Sequence, residues 1–218
     1  MTDRVGIPFV LAAPSGTGKT TVCQAALARD PGLDFSISHT TRSPRKGEED
    51  GRDYHFVSPA EFRRLVEEGA FVEHAEYNAE NYGTSHEALR VPLFERGHDV
   101  LLEIEVQGAA QVRERRPDAR FIFLLPPSMT ELERRLRSRG TDGADAIDRR
   151  LAMADRELEA IRFFDYAVVN DVLDDAIAAV LEIIEAERGA DPAALAITRA
   201  KYDRAAVFSS WQGQAALA

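Results

Sequence analysis

The residues with the clearest chemistry to offer are Ala13-Pro14-Ser15-Gly16-Thr17-Gly18-Lys19-Thr20, which run from an apolar stretch into a helix-forming one. The spacing is that of a Walker A-type phosphate loop: successive backbone N–H groups converge on phosphate oxygens, and the next helix adds the positive end of its dipole. Glycines at 16 and 18 allow positive φ and close approach of the backbone. Lys19 is set to reach β- and γ-phosphates and the Thr20 hydroxyl to ligate Mg²⁺, with Thr21 following among the ATP-binding residues. The first glycine of G-x-x-x-x-G-K-[ST] is here Ala13, so a strict pattern passes over the site. A fortuitous Gly-Lys-Thr helix start is the competing reading. The strand before it and the helix after it favour the nucleotide site.

A second cluster lies in a polar loop, where Arg42 and Arg45 stand three apart, followed by Glu48 and Tyr54. Forked guanidiniums suit bidentate clasping of a dianionic phosphate, and a phenol can add a short hydrogen bond. Such a run is more often a solvated charged loop, but the phosphate loop upstream changes those odds. A third cluster, Arg134, Arg135, Arg137 and Arg139, crowds one helix end and is followed by glycines and then Arg149 and Arg150. Basic residues there also serve as ordinary dipole partners. His39, His55, His74, His86 and His98 are scattered without metal-ligand spacing.

The elements that must position these groups follow from hydrophobic period and punctuation. Pro8–Ala13 reads as a buried parallel strand, and 19–29 as a helix. Asp34–Ser38 alternates as a strand, 40–53 is loop, and Tyr54–Val57 is a short strand. Ser58-Pro59-Ala60-Glu61 is a capping box that opens a helix to about Glu68, stopped by Gly69. Strand Phe71–Tyr77 and a helix from His86 to Arg96, ended by Gly97, come next. Strand 99–105 carries Glu103 and Glu105 on one face near its C-terminal end, where open parallel sheets bind ligands. Helix 107–116, strand Arg120–Leu125, a helix from Ser128 to Arg139, a further helix to Arg162, strand Tyr166–Val169 and helix 174–188 complete the pattern. Strands alternating with helices imply an α/β fold, three layers around a central parallel sheet, with a small inserted subdomain between Tyr54 and Tyr77. Beyond Gly189, residues 193–204 suggest one more helix that Trp211 could dock, and a partly ordered or oligomer-contacting extension fits equally.

Composition narrows the setting. The 218 residues are 44% hydrophobic and 29% charged, an ordinary balance for one α/β domain with lobes. No apolar run approaches the roughly 20 residues a membrane span needs, and the first residues lack a secretory pattern. The formal net charge of −10 argues against bulk nucleic-acid binding, so phosphate-binding arginines must be concentrated locally. Cys23 is the single cysteine, which leaves no internal disulfide and no thiolate zinc site; a reducing cytoplasm is expected. Monomer and homo-oligomer both fit.

A phosphate loop alone does not select a reaction. Ser38-His39-Thr40-Thr41-Arg42-Ser43-Pro44-Arg45-Lys46-Gly47-Glu48, then Gly51-Arg52-Asp53-Tyr54, resembles the signature of the guanylate kinase family. Further matches fall at Phe71-Val72-Glu73, Asn81-Tyr82-Gly83-Thr84, Glu103–Gly108, Pro126-Pro127-Ser128, Arg135 to Thr141, Arg150-Leu151 and Val168–Asp171, in order from about 8 to 187. The resemblance implies a P-loop kinase fold, with core 1–37 and 98–187, a GMP-binding insert at about 38–97, a lid at about 136–150 and an extension from 188 to 218. It implies ATP, Mg²⁺ and GMP or dGMP as ligands, with no nucleic acid or membrane partner. Arg42, Arg45, Tyr54 and Tyr82 would hold the GMP phosphate, Glu48 would belong to the same GMP site, and Ser38, Glu73, Thr84 and Glu105 would read guanine. Glu103 would sit near metal waters or the acceptor phosphate, Arg135, Arg139 and Arg150 in the lid, and Asn170 by the adenine. The chemistry agrees: guanine offers N1–H and N2–H₂ donors to carboxylates, whereas adenine would face them with a bare N1. Aspartate is common where Glu103 and Glu105 stand, and the longer arm changes the reach. A non-catalytic guanylate-kinase-like peptide-binding module and a P-loop kinase for another phosphorylated small molecule are the alternatives.

Overall fold

The computed structural model describes residues 4–77, 79–138, 143–189 and 191–215. In chain order the elements are β1 (Pro8–Ala12), α1 (Lys19–Arg29), β2 (Leu33–Phe35), β3 (His39–Thr40), β4 (His55–Phe56) and α2 (Pro59–Glu67). Next come β5 (Phe71–Tyr77), β6 (Glu80–Ser85), α3 (His86–Arg90), β7 (Asp99–Glu103), α4 (Val106–Arg115) and β8 (Arg120–Leu125). The chain ends with α5 (Met129–Ser138), α6 (Ala144–Leu158), β9 (Tyr166–Val169), α7 (Leu173–Arg188), α8 (Pro192–Lys201) and α9 (Arg204–Ala215). It divides into two compact units, Met1–Pro8 with Gly32–Ala119, and Phe9–Pro31 with Arg120–Ala218.

In the first unit β2 and β7 pair in parallel, Leu33 opposite Asp99. A separate four-stranded sheet has the order β4-β3-β6-β5. Its main ladder is the antiparallel β5–β6 hairpin, turned at Ala79 with φ 64° and carrying a register irregularity between Phe71 and Glu73. In the second unit β1, β8 and β9 run parallel, and β1 is buried along its whole length. That double-sided burial is why these strands read as continuous apolar runs. The α/β class with parallel strands is therefore as expected.

The strong local signals were reliable. Ser58 caps α2 through the Glu61 N–H, and Gly97 ends its helix at φ 69°. The helix expected from His86 to Arg96 is α-helical only to Arg90 and widens into a π-turn over Val91–Arg96. Pro92 is the reason: it has no N–H to donate and its ring crowds the preceding turn. Strand 99–105 is shorter than expected. β7 stops at Glu103, and Glu105 is the N-cap of α4, its carbonyl accepting from Ala109 N at 3.0 Å. Glu103 and Glu105 therefore do not share a strand face. The sequence reading passed over β3 and β6.

The C-terminal stretch forms two helices. Trp211 on α9 is buried, stacks on Phe208 and donates its indole N–H to Pro126 O at 2.6 Å. The base of α7 and α8 is joined to β8 and β9 through Glu187, whose side chain is only 2% exposed. It accepts from the Tyr166 hydroxyl, from Arg120 Nε at 2.6 Å and from Arg199 Nη2 at 2.9 Å. Burial pushes this carboxyl up, but the bonds from Tyr166, Arg120 and Arg199 outweigh it and hold the group below its usual 4.5. Burial and the bond to Glu187 push the Tyr166 hydroxyl up to about 12. A carboxyl lowered on folding stabilises fully above its unfolded value and loses that contribution as pH falls through the folded one. A phenol raised on folding loses its contribution as pH rises from its usual 10.0 towards about 12. Glu187→Gln, which leaves two guanidiniums short of a counter-charge, should cost about 3 kcal/mol at neutral pH and flatten the acid limb of the melting temperature below roughly pH 5. An unchanged acid limb in thermal melts of the variant would remove the network from the account of stability.

Candidate active site

The phosphate loop lies in the second unit, between β1 and α1. Gly16 and Gly18 have φ of 96° and 99°, conformations that L side chains avoid. Thr17 N–H bonds back to Pro14 O at 3.1 Å, and Gly18 is the N-cap of α1 with no side-chain cap. No acidic residue occupies the first turn of α1, so its N–H groups and positive dipole end are not neutralised from within the helix. Ala13 and Pro14 are buried, Ser15 and Lys19 are half-buried, and Thr20 and Thr21 are exposed on the first turn. Alanine in place of the first motif glycine is accommodated because this position, buried just past the end of β1, needs no positive φ.

The loop is braced from two sides. A side chain on Gly16 would come within 2.8 Å of Leu136 on α5, and one on Gly18 within 2.7 Å of Asn170 Nδ2. Asn170 is 4% exposed and donates its side-chain amide to Thr17 O at 2.7 Å. Its own carbonyl accepts from Arg135 Nη1 at 3.1 Å. Arg135 also bonds Glu131, whose carboxyl Arg134 and Arg135 together pull down to about 2. Ser128 starts this helix by accepting from Glu131 N at 3.1 Å. Asn170 is thus engaged with the phosphate loop itself, a contact that spacing did not suggest. Arg150 lies half-buried on α6. Arg139, the other expected lid arginine, lies outside the described residues.

The first unit brings together the expected base-reading groups. β3 and β5 flank β6, so Ser38, Thr84 and Glu73 converge from three segments distant in sequence. Ser38 Oγ and Thr84 Oγ1 lie 3.2 Å apart, and Thr84 donates to Glu73 Oε1 at 2.6 Å. All three are buried. Burial pushes the Glu73 carboxyl up; the hydrogen bonds of Thr84 and the charge of Arg115 oppose this, and the nearby Glu105 adds to it. The result is a buried acceptor held by the Thr84 hydroxyl on one oxygen, with a second acid close by. Such a group is costly unless a donor meets it.

The phosphate-type residues form their own cluster in the same unit. Glu48 clasps Arg42 with both oxygens at 2.9 Å and also accepts the Arg45 backbone N–H at 2.7 Å. That pairing lowers the Glu48 carboxyl and raises the Arg42 guanidinium. Arg42 lies 5.4 Å from the centre of the Tyr54 ring, and Tyr54 meets Tyr82 edge-on at 6.0 Å. The Arg45 side chain is exposed. Glu48 therefore holds the Arg42 guanidinium through Nη1 and Nη2 and fixes the turn at Arg45.

Contacts missed from sequence come from α4. Gln111 bonds both the N–H and the carbonyl of His74, at 3.2 and 2.6 Å, and Arg115 Nη1 donates to Val72 O at 2.6 Å. The available signal was the spacing of Gly108, Gln111 and Arg115 along one helical face.

Comparison with known proteins gives the family and the fold. The family model for guanylate kinase matches residues 6–187. A guanylate kinase of Neisseria gonorrhoeae is 50% identical over 185 residues, 85% of this chain and 90% of that protein. One from Oleidesulfovibrio alaskensis is 53% identical over 173 residues, 79% of this chain and 84% of its own length. Among solved structures, a crystal structure of guanylate kinase from Anaplasma phagocytophilum superposes with a TM-score of 0.70 at 35% identity, covering 86% of this chain and 88% of that one.

Proposed function

The chain belongs to the guanylate kinase family, and from that footing we propose that it transfers the γ-phosphoryl group of ATP to GMP or dGMP, giving ADP and GDP or dGDP. The observation that carries the guanine reading is the buried Glu73, bonded through Thr84 to Ser38 and accompanied by Glu105. A carboxylate so placed accepts the N1–H and N2–H₂ donors that only guanine presents together. Arg42, Arg45, Tyr54 and Tyr82 supply donors for the acceptor phosphate, with Glu48 orienting Arg42.

On the donor side, the loop amides, Lys19 and the N-terminal end of α1 cradle the ATP phosphates. Thr20, an exposed hydroxyl on that first turn, is the hard oxygen donor that suits Mg²⁺. Mg²⁺ held there would supply positive charge against the phosphate oxygens. An oxygen of the GMP phosphate forms the new bond to the γ-phosphorus in line, the bond to the β–γ bridging oxygen breaks, and ADP leaves with that oxygen. Lys19, with Arg135 and Arg150 from the lid segment, stabilises charge on the transferring group. Asn170 fixes the loop through the Thr17 carbonyl. No helix among the described residues is long and apolar enough to cross a membrane, and the buried, solitary Cys23 suits a reducing cytoplasm.

A non-catalytic module is disfavoured because Lys19, Thr20, Arg42, Arg45 and Tyr54 are all present. A coupled ADP-release assay with GMP, dGMP, AMP, CMP and UMP separates the readings. ADP release is expected with GMP and dGMP. Release with AMP alone would refute guanine selection, and release with none would favour a binding module.

A further inference from the structure

In the four-stranded sheet β5 is an edge, with β6 as its strand neighbour. An edge strand presents a row of backbone N–H and C=O groups that need partners. Here side chains of α4 supply them. Arg115 Nη1 donates to Val72 O at 2.6 Å and to Phe71 O at 3.3 Å. The Gln111 amide closes a two-way pair with His74, accepting from its N–H at 3.2 Å and donating to its carbonyl at 2.6 Å. The residue between these two anchor points is Glu73. Gly108, one turn before Gln111 on the same face, completes the arrangement: a Cβ there would stand 2.5 Å from Glu73 Oε2.

We propose that the Gly108–Gln111–Arg115 face of α4 is a positioning element for guanine selection, fixing the β5 backbone on both sides of Glu73 and leaving room at Gly108 for its second carboxylate oxygen. The inference rests on the reading of Glu73 as the acceptor for guanine. Thr84 occupies Oε1, so Oε2 is the oxygen whose place Gly108 decides. Hydrogen bonding falls off steeply with misplacement, so a carboxylate pushed aside by a methyl group no longer meets both guanine donors. IMP, which keeps N1–H and lacks the exocyclic amine, has less to lose.

The contrast with simple edge covering is sharpest at Gly108→Ala. Alanine is the better helix former, and the atom it meets is the far end of the Glu73 side chain, so the gain in the helix should about offset the cost of shifting that carboxylate. We expect the GMP-over-IMP ratio of kcat/KM to fall roughly tenfold or more, chiefly through KM for GMP, while KM for ATP and the melting temperature do not worsen. Gln111→Met and Arg115→Met should shift the ratio the same way. Because these residues act through Glu73, adding Gly108→Ala to Glu73→Gln should cost little beyond Glu73→Gln alone. If Glu73→Gln collapses the ratio while Gly108→Ala and Gln111→Met leave it intact, α4 covers the edge only and the proposal fails. If Glu73→Gln itself leaves the ratio intact, the underlying reading of Glu73 fails first, and the proposal with it. Should a methionine variant fold poorly, Gly108→Ala still decides.

Discussion

Lys19→Ala is expected to lower kcat by on the order of 10²–10³ while leaving the melting temperature close to that of the parent protein. Lys19 opens α1 directly after a positive-φ glycine, on a turn without acidic residues. Its ammonium therefore adds to a local field built from backbone N–H groups, which remain when the side chain is removed. On the proposed reading those amides should bind the ground-state triphosphate with or without the lysine, so the loss should fall on kcat more than on KM for ATP. The fold should survive because Lys19 is only half-buried and alanine is the strongest helix former. Arginine should rescue poorly, since a flat fork does not replace a compact ammonium on a short reach. ADP release under saturating nucleotides, read beside thermal melts, is the measurement. Unchanged turnover would mean that the loop from Ala13 to Thr20 is not the site of the γ-phosphate.

The difference in legibility between the phosphate loop and the proposed base-reading group has a physical cause. The phosphate loop is contiguous: its glycines, lysine and helix start are dictated by local backbone geometry, and α1 begins at Lys19 as its pattern requires. The proposed base-reading group is assembled from β5, β6 and the segment before β3, with Ser38 and Thr84 46 positions apart. No local spacing encodes that meeting, and those residues were identified through family resemblance. β6 escaped because Glu80-Asn81-Tyr82-Gly83-Thr84-Ser85 lacks alternating apolar residues, its pairing coming from the hairpin with β5. β3 is only two residues long, too short to show any period. Glu105 was misplaced because a strand end and an N-cap share the same extended φ and ψ, here −79° and 160°. Residue type suggests Arg42 as a phosphate ligand but not its clasp by Glu48, since a loop leaves the direction of both side chains open. The bracing of Thr17 O by Asn170, 153 positions away, is likewise a product of tertiary packing alone.

Glu73→Gln should be the most informative change on the acceptor side, with a loss in kcat/KM for GMP of roughly 10²–10⁴ and little loss of stability. The substitution keeps volume and shape. Its amide oxygen can still take the Thr84 hydroxyl in place of Oε1, which turns the amide N–H₂ towards the base. Guanine then meets donors with donors at N1–H and N2–H₂, and desolvated polar groups on both sides go unpaired. The unprotonated N1 of adenine, in contrast, gains a donor, so the AMP-to-GMP ratio should rise even if absolute AMP turnover stays low. Stability should hold or improve, because a buried carboxylate is replaced by a neutral group of the same size. The pH profile supplies a second signature. Burial raises the Glu73 carboxyl despite Thr84 and Arg115, with Glu105 reinforcing the rise. Only the ionised form accepts both donors, so kcat/KM for GMP in the parent protein should fall on acidification from a pH above the ordinary carboxylate range. In Glu73→Gln the part of that limb due to the carboxyl should vanish, leaving the titration of the GMP phosphate itself, at about pH 6. A variant that binds GMP as tightly as the parent, or whose acid limb is identical to the parent's, would show that another group reads the base.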